Sequence, residues 1–296
     1  MELDQRNPVE NQEEREMSPQ ALDLVGEWTE IKLQIIRDYA SAYSKIMVRQ
    51  PAIREFGYID GFAGSGTHIS RAKGDEISGS PVIALDITPP FGSYHFIDLD
   101  GTKTARLRSL AKGRDNVWIY EEDCNKVLLE KVFPRFQYSS FRRALCLLDP
   151  YDLNPHWQVT KTAANLGTID IFLNFMIFDA NRNVFLWNYE NANPAQIERM
   201  NLFWGDANWK SVAYTSVKGL FGDVLDKAPN KVIAKAFQNR LHDIAGFKHV
   251  PDPVPLRNSK GAVIYYLFFA SHNETGAKIA RSIFNKYRKK GIIYGG

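Results

Sequence analysis

The sequence has few cysteines and no long apolar run, and each absence narrows the classes of protein that it can encode. Cys124 and Cys146 are the two cysteines in 296 residues, too few for a disulfide framework or a metal-binding thiolate cluster. No apolar stretch approaches the roughly 20 residues that a membrane-spanning helix needs, and residues 1–16 lack the apolar core of a secretion signal. These features predict a cytoplasmic protein with no membrane association and no metal site.

The chain also lacks a strong excess of charge of either sign. It holds 37 lysines and arginines against 34 aspartates and glutamates, a net charge of +3. Binding to nucleic acid would therefore depend on a local patch and not on the whole surface. A hydrophobic content of 44% is ordinary for a globular protein. We expect one α/β domain over residues 21–296, preceded by a polar, disordered tail over residues 1–20.

Three glycines, Gly61, Gly64 and Gly66, follow a predicted strand that ends at Asp60. A buried parallel strand that runs into glycines lets the backbone approach a ligand closely, which is how open α/β sheets build a cofactor crevice. The glycine spacing matches neither the dinucleotide fingerprint nor the phosphate-binding loop of nucleotide triphosphatases, so a ligand without a pyrophosphate is favoured. An ordinary turn between strand and helix is the alternative.

With Phe62 included, this stretch resembles the first motif of class I S-adenosylmethionine-dependent methyltransferases. The resemblance implies that the segment from Asp60 to Gly66 passes close to the methionine part of that cofactor. Residues 67–77 then form a long polar loop, either a lid over the site or a plain surface loop. We expect the next helix to begin at Pro81, with Ser80 as its cap, because a hydroxyl before proline suits a helix start.

Acidic residues follow the next two predicted strands. The strand over residues 94–100 ends in Asp98 and Asp100. In nucleotide-binding α/β folds an acid at this position accepts hydrogen bonds from ribose hydroxyls. We select Asp98 for this role and keep Asp100 in reserve; two solvated acids at a strand end are the alternative. Asp123 follows the third strand and matches the acid or amide that methyltransferases place near adenine, or it is the N-cap of the next helix.

The fourth predicted strand, residues 144–148, runs into Asp149, Pro150 and Tyr151. Amino-group methyltransferases have a similar turn, with two prolines, whose oxygens accept from the substrate amino group and whose aromatic ring packs on a flipped base. Enzymes that modify a base within a duplex must extrude it into such a pocket. Here one proline is present, so the aromatic residue lies one position closer to the aspartate. We name these three residues as candidate catalytic residues, with a tight strand-to-helix turn as the alternative.

Two further polar residues lie in apolar surroundings. Asn174 is inside the fifth predicted strand, and it either bonds within the sheet or faces the site, because an unpaired buried amide costs about 1–3 kcal/mol. Lys32 lies on the first predicted helix, residues 28–49, and we expect it to be a solvated surface lysine because lysine is seldom buried.

The order of the predicted elements indicates a Rossmann-like sheet. Strands and helices alternate up to residue 175, which predicts a mostly parallel sheet with helices on both faces. We expect a helical insertion over residues 179–222, a helix over residues 223–245 that is interrupted near Pro229, and a final antiparallel hairpin with its turn at residues 258–261. The class I methyltransferase sheet has such a final pair, whereas the plain dinucleotide sheet lacks it.

An ordered set of motifs extends over most of the chain from Trp28 onward. These motifs are residues 58–64, Gly79-Ser80-Pro81, residues 96–98, Asp149-Pro150-Tyr151, and residues 265–271 with Gly276. Together they resemble the three-Cys-motif partner protein family. The resemblance implies a class I methyltransferase fold, S-adenosylmethionine as cofactor, and a partner protein with a three-cysteine, radical-S-adenosylmethionine-like motif, which this chain does not itself carry.

We therefore predict an S-adenosylmethionine-dependent methyltransferase that acts on an amino group of a nucleic-acid base or a related substrate. The alternative is a non-catalytic protein of the same fold that serves as a scaffold for the three-cysteine partner, and the shortened turn at Pro150 favours it. A nucleotide-dependent oxidoreductase is disfavoured because the glycine spacing is wrong for a dinucleotide.

Overall fold

The computed structural model describes residues 23–70, 74–219 and 222–293. The strands are β1 (Asp23–Val25), β2 (Glu55–Asp60), β3 (Thr67–Ser70), β4 (Glu76–Ser78), β5 (Ser93–Ile97), β6 (Val117–Tyr120), β7 (Arg142–Leu148), β8 (Ile169–Phe175), β9 (Tyr214–Gly219), β10 (Gly222–Lys227), β11 (Val254–Arg257) and β12 (Val263–Ala270). The α-helices are α1 (Glu27–Met47), α2 (Ser80–Leu85), α3 (Gly101–Leu110), α4 (Cys124–Val127), α5 (Trp157–Leu166), α6 (Ile177–Asn183), α7 (Pro194–Trp204), α8 (Trp209–Ala213), α9 (Asn230–Arg240) and α10 (Glu274–Ile293).

Seven strands form the central sheet in the order β6-β5-β2-β7-β8-β12-β11. The pairs from β6 to β8 are all parallel, whereas β12 is antiparallel to both β8 and β11. This arrangement confirms the predicted class I methyltransferase sheet, mostly parallel with a C-terminal antiparallel hairpin. From β2 the chain moves to β5 and β6 on one side, and later crosses to β7 and β8 on the other. The topological switch point, where open α/β sheets bind ligands, therefore lies between β2 and β7.

Two hydrophobic cores cover the two faces of this sheet, because successive side chains of a strand point to opposite sides. Along β7, Ala144, Cys146 and Leu148 enter the first core, which α4, α5 and α6 to α9 complete. Leu145 and Leu147 enter the second core, where α1, α2, α3 and α10 pack. Helices on both faces are thus confirmed. Both cysteines are buried and free.

A small second sheet is built from segments that precede and follow β2. β3 pairs antiparallel with β4 and parallel with β1, so the stretch after the glycines is a hairpin with a third strand added from the chain before α1. Residues 71–73, between β3 and β4 in the sequence, and the predicted tail over residues 1–20 lie outside the described residues.

The stretch that follows the parallel strands differs in part from the prediction. The proposed insertion over residues 179–222 contains most of α6, all of α7 and α8, and β9. The predicted helix over residues 223–245 is wrong at its start, because residues 222–227 form β10, which pairs antiparallel with β9. This strand has two adjacent apolar residues, Val224 and Leu225, between polar ones, and Val224 lies opposite Val217 in the hairpin. The helix begins only after Pro229.

Among the described residues, none of the helices could cross a membrane.

Candidate functional site

A cleft of about 240 Å³ opens at the carboxyl edge of the sheet, beside the switch point. Three segments supply most of its walls: residues 62–64 after β2, residues 149–151 after β7, and the first two turns of α1. Ile264 and Tyr265 close one side, because β12 runs antiparallel and starts at this edge. The small sheet contributes His68. Residues far apart in the sequence thus meet around one concave site.

Gly64 is the point at which the glycine segment presents bare backbone to the cleft. Its φ angle is +64°, which favours glycine. A methyl group added there would meet nothing closer than His68 Cε1, at 4.0 Å. The Gly64 amide donates a hydrogen bond of 2.9 Å to Asp98 Oδ2. The glycine loop after β2 and the acid after β5 are therefore joined directly.

Gly61 and Gly66 belong to the same motif as Gly64, but side chains pack closely against them. A Cβ on Gly61 would lie 3.0 Å from Leu148 Cδ2, and one on Gly66 would lie 2.6 Å from Leu110 Cδ1. The residues that line the cleft include Phe62 and Gly64 but neither of these two glycines. Their missing side chains let β7 and α3 pack closely against the loop.

The two acids after β5 have separate roles in the structure. Asp98 is partly buried and accepts from the amides of Gly64 and Asp100. Asp100 is exposed and caps α3, since its carboxylate accepts from the amides of Thr102 and Lys103. Of the two candidates, Asp98 is the one tied to the glycine loop.

Asp123 is exposed and serves as the N-cap of α4, where it accepts from the Lys126 amide at 3.0 Å. Of the two roles that the sequence leaves open, this is the one that the structure contains. Asp123 Oδ2 lies 3.5 Å from Asn125 Nδ2.

The centre of the cleft holds a buried ion pair between Lys32 and Asp149. Lys32 is only 6% exposed, so the expectation of a solvated lysine was wrong. The fully buried Asn174 also donates to Asp149, from Nδ2 to Oδ1. A charge at this depth needs a partner of opposite charge, and each of these two residues supplies it for the other.

Helical periodicity contained a signal that could have identified Lys32. Ile35, Ile36 and Tyr39 follow it at spacings of three, four and seven, and all three are buried. Lys32 therefore lies on the apolar stripe of α1, where a lysine is unusual. The sequence could not indicate that Asp149 was its partner.

Asp60 is fully buried at the end of β2, and its Oδ1 accepts from the Phe62 amide at 3.2 Å. Burial raises the pKa of its carboxyl to about 7; hydrogen bonds from Ser80 and Phe62 oppose the rise, whereas the charge on Asp149 adds to it. Ser80 is thus a partner of Asp60, while the N-cap of α2 is Gly79, which corrects the predicted cap. The carboxyl changes charge close to neutral pH.

Tyr151 stands at the mouth of the cleft, 65% exposed, with Lys103 Nζ 5.4 Å from its ring centroid. Ion pairs to helix α7 fix the turn that carries Tyr151. Asp152 and Asp179 both form ion pairs with Arg199 on α7, at 3.0 and 2.6 Å. The inserted helices therefore position the turn after β7.

Comparison with known proteins adds little to this description. No family model matches the chain, and no curated protein matches it. The chain is similar to protein LPL1258 from Legionella pneumophila, of the family DUF519, with 11% identity and a TM-score of 0.47 over 90% of this chain and 95% of that one. It is also similar to yhhF from Escherichia coli, a candidate methyltransferase, with 9% identity and a TM-score of 0.32 over 79% of this chain and 86% of that one. A candidate methyltransferase from Thermobifida fusca has 10% identity and a TM-score of 0.38 over 85% of this chain and 84% of that one.

The order and direction of the strands define the class: the chain has the fold of a class I methyltransferase.

Replacing Gly66 by alanine is expected to destabilise the protein more than the same change at Gly167. Both residues have positive φ, so each alanine costs about 1–2 kcal/mol of backbone strain. Only at Gly66 would the new methyl also clash, 2.6 Å from Leu110 Cδ1, whereas nothing lies within 4 Å at Gly167. Leu110 Cδ1 is the end of a side chain that is 42% exposed and can rotate away, so we expect a further loss of about 0.5–1.5 kcal/mol at Gly66, measured by urea unfolding. Equal losses in the two variants would contradict the packing role.

Replacing Asp60 by asparagine is expected to remove part of the pH dependence of stability. The folded-state pKa of about 7 lies above the ordinary value of 3.8, so the native state holds a proton that the unfolded state releases between these values. The contribution of Asp60 to the free energy of unfolding should therefore fall by up to about 4 kcal/mol as pH rises from about 4 to about 7, and stay level above that. His95 and Asp170 also titrate in this range, because burial lowers the pKa of His95 to about 3 and raises that of Asp170 to about 6. The measurement is therefore urea unfolding of wild type and variant across this range, and the difference between the two profiles. Asp115→Asn, at an exposed position, is the control and should keep the wild-type profile; an unchanged profile in Asp60→Asn would refute the assignment.

Proposed function

We propose that the protein is an S-adenosylmethionine-dependent methyltransferase that acts on an amino group of a nucleic-acid base or a related substrate. The observation that carries this proposal is the hydrogen bond from Gly64 to Asp98 beside the cleft that Asp149 lines. Fold alone does not define an activity, since one fold supports many. Here the bare backbone of Gly64, the carboxylate of Asp98 and the candidate acceptor site at Asp149 lie together at the switch point of the sheet.

The residues around Gly64 suit the cofactor. An ionised carboxylate offers about four lone-pair sites, and in Asp98 the amides of Gly64 and Asp100 each use one. The remaining sites are available to the two ribose hydroxyls. Phe62 and Gly64 would lie beside the methionine part, with Asp60 beneath them, and Asp123 near the adenine. When bound, the cofactor supplies an electrophilic methyl group on a sulfonium.

The acceptor side of the cleft suits an amino group. Asp149 accepts hydrogen bonds, and Lys32 forms an ion pair with it. Asn174, which donates to Asp149, is fully buried and does not line the cleft, so it holds the carboxylate in place and does not contact the substrate. The oxygens of Asp149 would orient the amine and take the proton that the methylated nitrogen releases. Alignment of this kind is the main contribution that a protein makes to a displacement reaction.

The rim of the cleft favours a nucleic-acid substrate. Tyr151 and Phe178 follow the carboxyl ends of neighbouring strands, and they are 65% and 40% exposed. Each ring has a cation near it, Lys103 and Arg182 respectively. Trp187, in the inserted segment, is 71% exposed. Unpaired bases stack on such rings while cations contact phosphates, so a local patch can bind nucleic acid despite a nearly balanced total charge.

The second candidate function is a non-catalytic scaffold for the three-cysteine, radical-S-adenosylmethionine-like partner that the family resemblance implies. One observation favours it. Both oxygens of Asp149 already have partners, Lys32 and Asn174, so a substrate amine must share or displace them.

Cofactor binding is expected to depend on Asp98 and not on Asp100. Calorimetry with S-adenosylmethionine or its demethylated product should give a binding isotherm for the wild type. Asp98→Asn removes charged acceptors for the ribose, worth about 1.5–3 kcal/mol, so affinity should fall about 10-fold to 100-fold. Asp100→Asn is the matched control, because asparagine caps helices as well as aspartate. Absence of heat in the wild type, or equal affinity in both variants, would count against the cofactor assignment.

Methyl transfer is expected to require the Lys32–Asp149 pair. Labelled cofactor is incubated with pooled RNA, DNA and cell extract, and transfer of label is counted. Lys32→Met and Asp149→Ala should each lower transfer by about 100-fold, as removal of a positioned proton acceptor does. Lys286→Met, which removes an exposed ion pair to Asp38, is the control and should retain activity. Transfer to any acceptor rules out the pure scaffold, and its complete absence in the wild type supports the scaffold.

A further inference from the structure

A second concave site lies at the opposite edge of the sheet, where the parallel strands begin. Two adjoining cavities of about 410 and 420 Å³ share Tyr43, Met47, Arg143, Asp170 and Asn273. We call them together the amino-edge groove. Arg143 and Asp170 stand near the starts of β7 and β8, and Asn273 precedes α10. The groove is therefore separate from the cleft at the carboxyl edge, and each cavity is within the range of small-molecule sites.

One half of the groove suits an anion. Arg143 and Lys248 both line it, together with the polar residues Thr168 and Asn273. The Arg143 guanidinium lies 4.8 Å from the ring centroid of Tyr138 and donates to the Arg142 carbonyl. Neither Arg143 nor Lys248 forms an ion pair with another described residue. The charge of Arg143 does act on Asp170, whose pKa it lowers, but no described carboxylate lies within ion-pair distance of the guanidinium. Its planar group is therefore suited to a phosphate or carboxylate.

The other half of the groove is largely apolar. Its wall consists of Ile46, Met47, Ile53 and Ile279, with Tyr43 between the two halves. A flat or apolar body attached to the anion could be buried here. A bare inorganic ion would leave this half of the groove without a function.

Asp170 lies between the two halves and further narrows the kinds of ligand that the groove could bind. Its Oδ2 accepts from the Tyr39 hydroxyl at 3.1 Å, and its Oδ1 accepts from Ser271. Burial raises the pKa of this carboxyl to about 6, against the effect of those two hydrogen bonds and of the positive charge on Arg143. The carboxyl group keeps spare acceptor sites. It could accept from an N–H group on a ring, whereas a simple fatty anion has no donor for it.

We propose that the amino-edge groove binds a nucleoside monophosphate. The phosphate would lie against Arg143 and Lys248, and the base would lie in the apolar half and donate to Asp170. This ligand has an anion, a flat body and N–H donors in one molecule. The proposal is independent of methyl transfer, because it uses none of the residues of the carboxyl-edge cleft.

The test is calorimetry with AMP, GMP, CMP and UMP on the full chain, in the presence of excess demethylated cofactor. We expect at least one nucleotide to bind with a Kd well below about 1 mM. Arg143→Gln and Asp170→Asn should each weaken binding about tenfold or more. Lys248→Gln, at an exposed position, should weaken it several-fold without affecting the fold. Asp98→Asn and Lys286→Gln are the controls and should bind as the wild type does.

Several outcomes would overturn the proposal. These are no binding by any of the four nucleotides up to about 1 mM, equal affinity for inorganic phosphate or for the free nucleoside, and preference for a free amino acid. Loss of binding in Asp98→Asn would assign the nucleotide to the other cleft. Should Arg143→Gln fail to fold by thermal unfolding, Lys248→Gln decides, and unchanged affinity there refutes the phosphate site.

Discussion

The parallel pairing of β2 with both β5 and β7 is the constraint on which the rest of the structure depends. Backbone hydrogen bonds on both sides place Asp60 level with Phe96 and with Leu147. The segments that follow these strands must therefore leave the sheet at one edge. Because the chain turns to opposite sides after β2 and before β7, no crossover helix covers the gap between them. The cleft is the direct result of this topology, and the hydrogen bond from Gly64 to Asp98 lies beside it.

Burial of charge gives the cleft its chemical character. Lys32 and Asp149 are paired where water is largely excluded, and Asp60 lies below them with a pKa raised to about 7 by burial. Removing one member of such a pair leaves an uncompensated charge, which costs several kcal/mol. Burying the two charges also costs desolvation energy, so stability alone does not account for the pair. Its position in the wall of the cleft is more readily explained by a ligand.

Helix α1 connects the two edges of the molecule. Lys32, near its beginning, lines the carboxyl-edge cleft, whereas Tyr39, Tyr43 and Met47 line the amino-edge groove. The same helix packs on the second core through Ile35 and Ile36. One amphipathic element thus supplies a cation to one site and an aromatic wall to the other, because its apolar stripe crosses the whole sheet.

The sequence by itself determined the elements of the sheet and the class of fold. Apolar runs bounded by glycine, proline and acids predicted the strands up to Phe175 and the final hairpin, since these signals are local. They failed at residues 222–227, where a short strand without polar and apolar alternation pairs, among the described strands, only with its neighbour β9. Tertiary structure alone decided which glycines face the cleft, that Asp100 caps a helix, and that Lys32 pairs with Asp149. For Asp123, the sequence had left the cap as one of two roles. A pairing across 117 residues depends on how α1 crosses the sheet edge, and no local pattern contains that information.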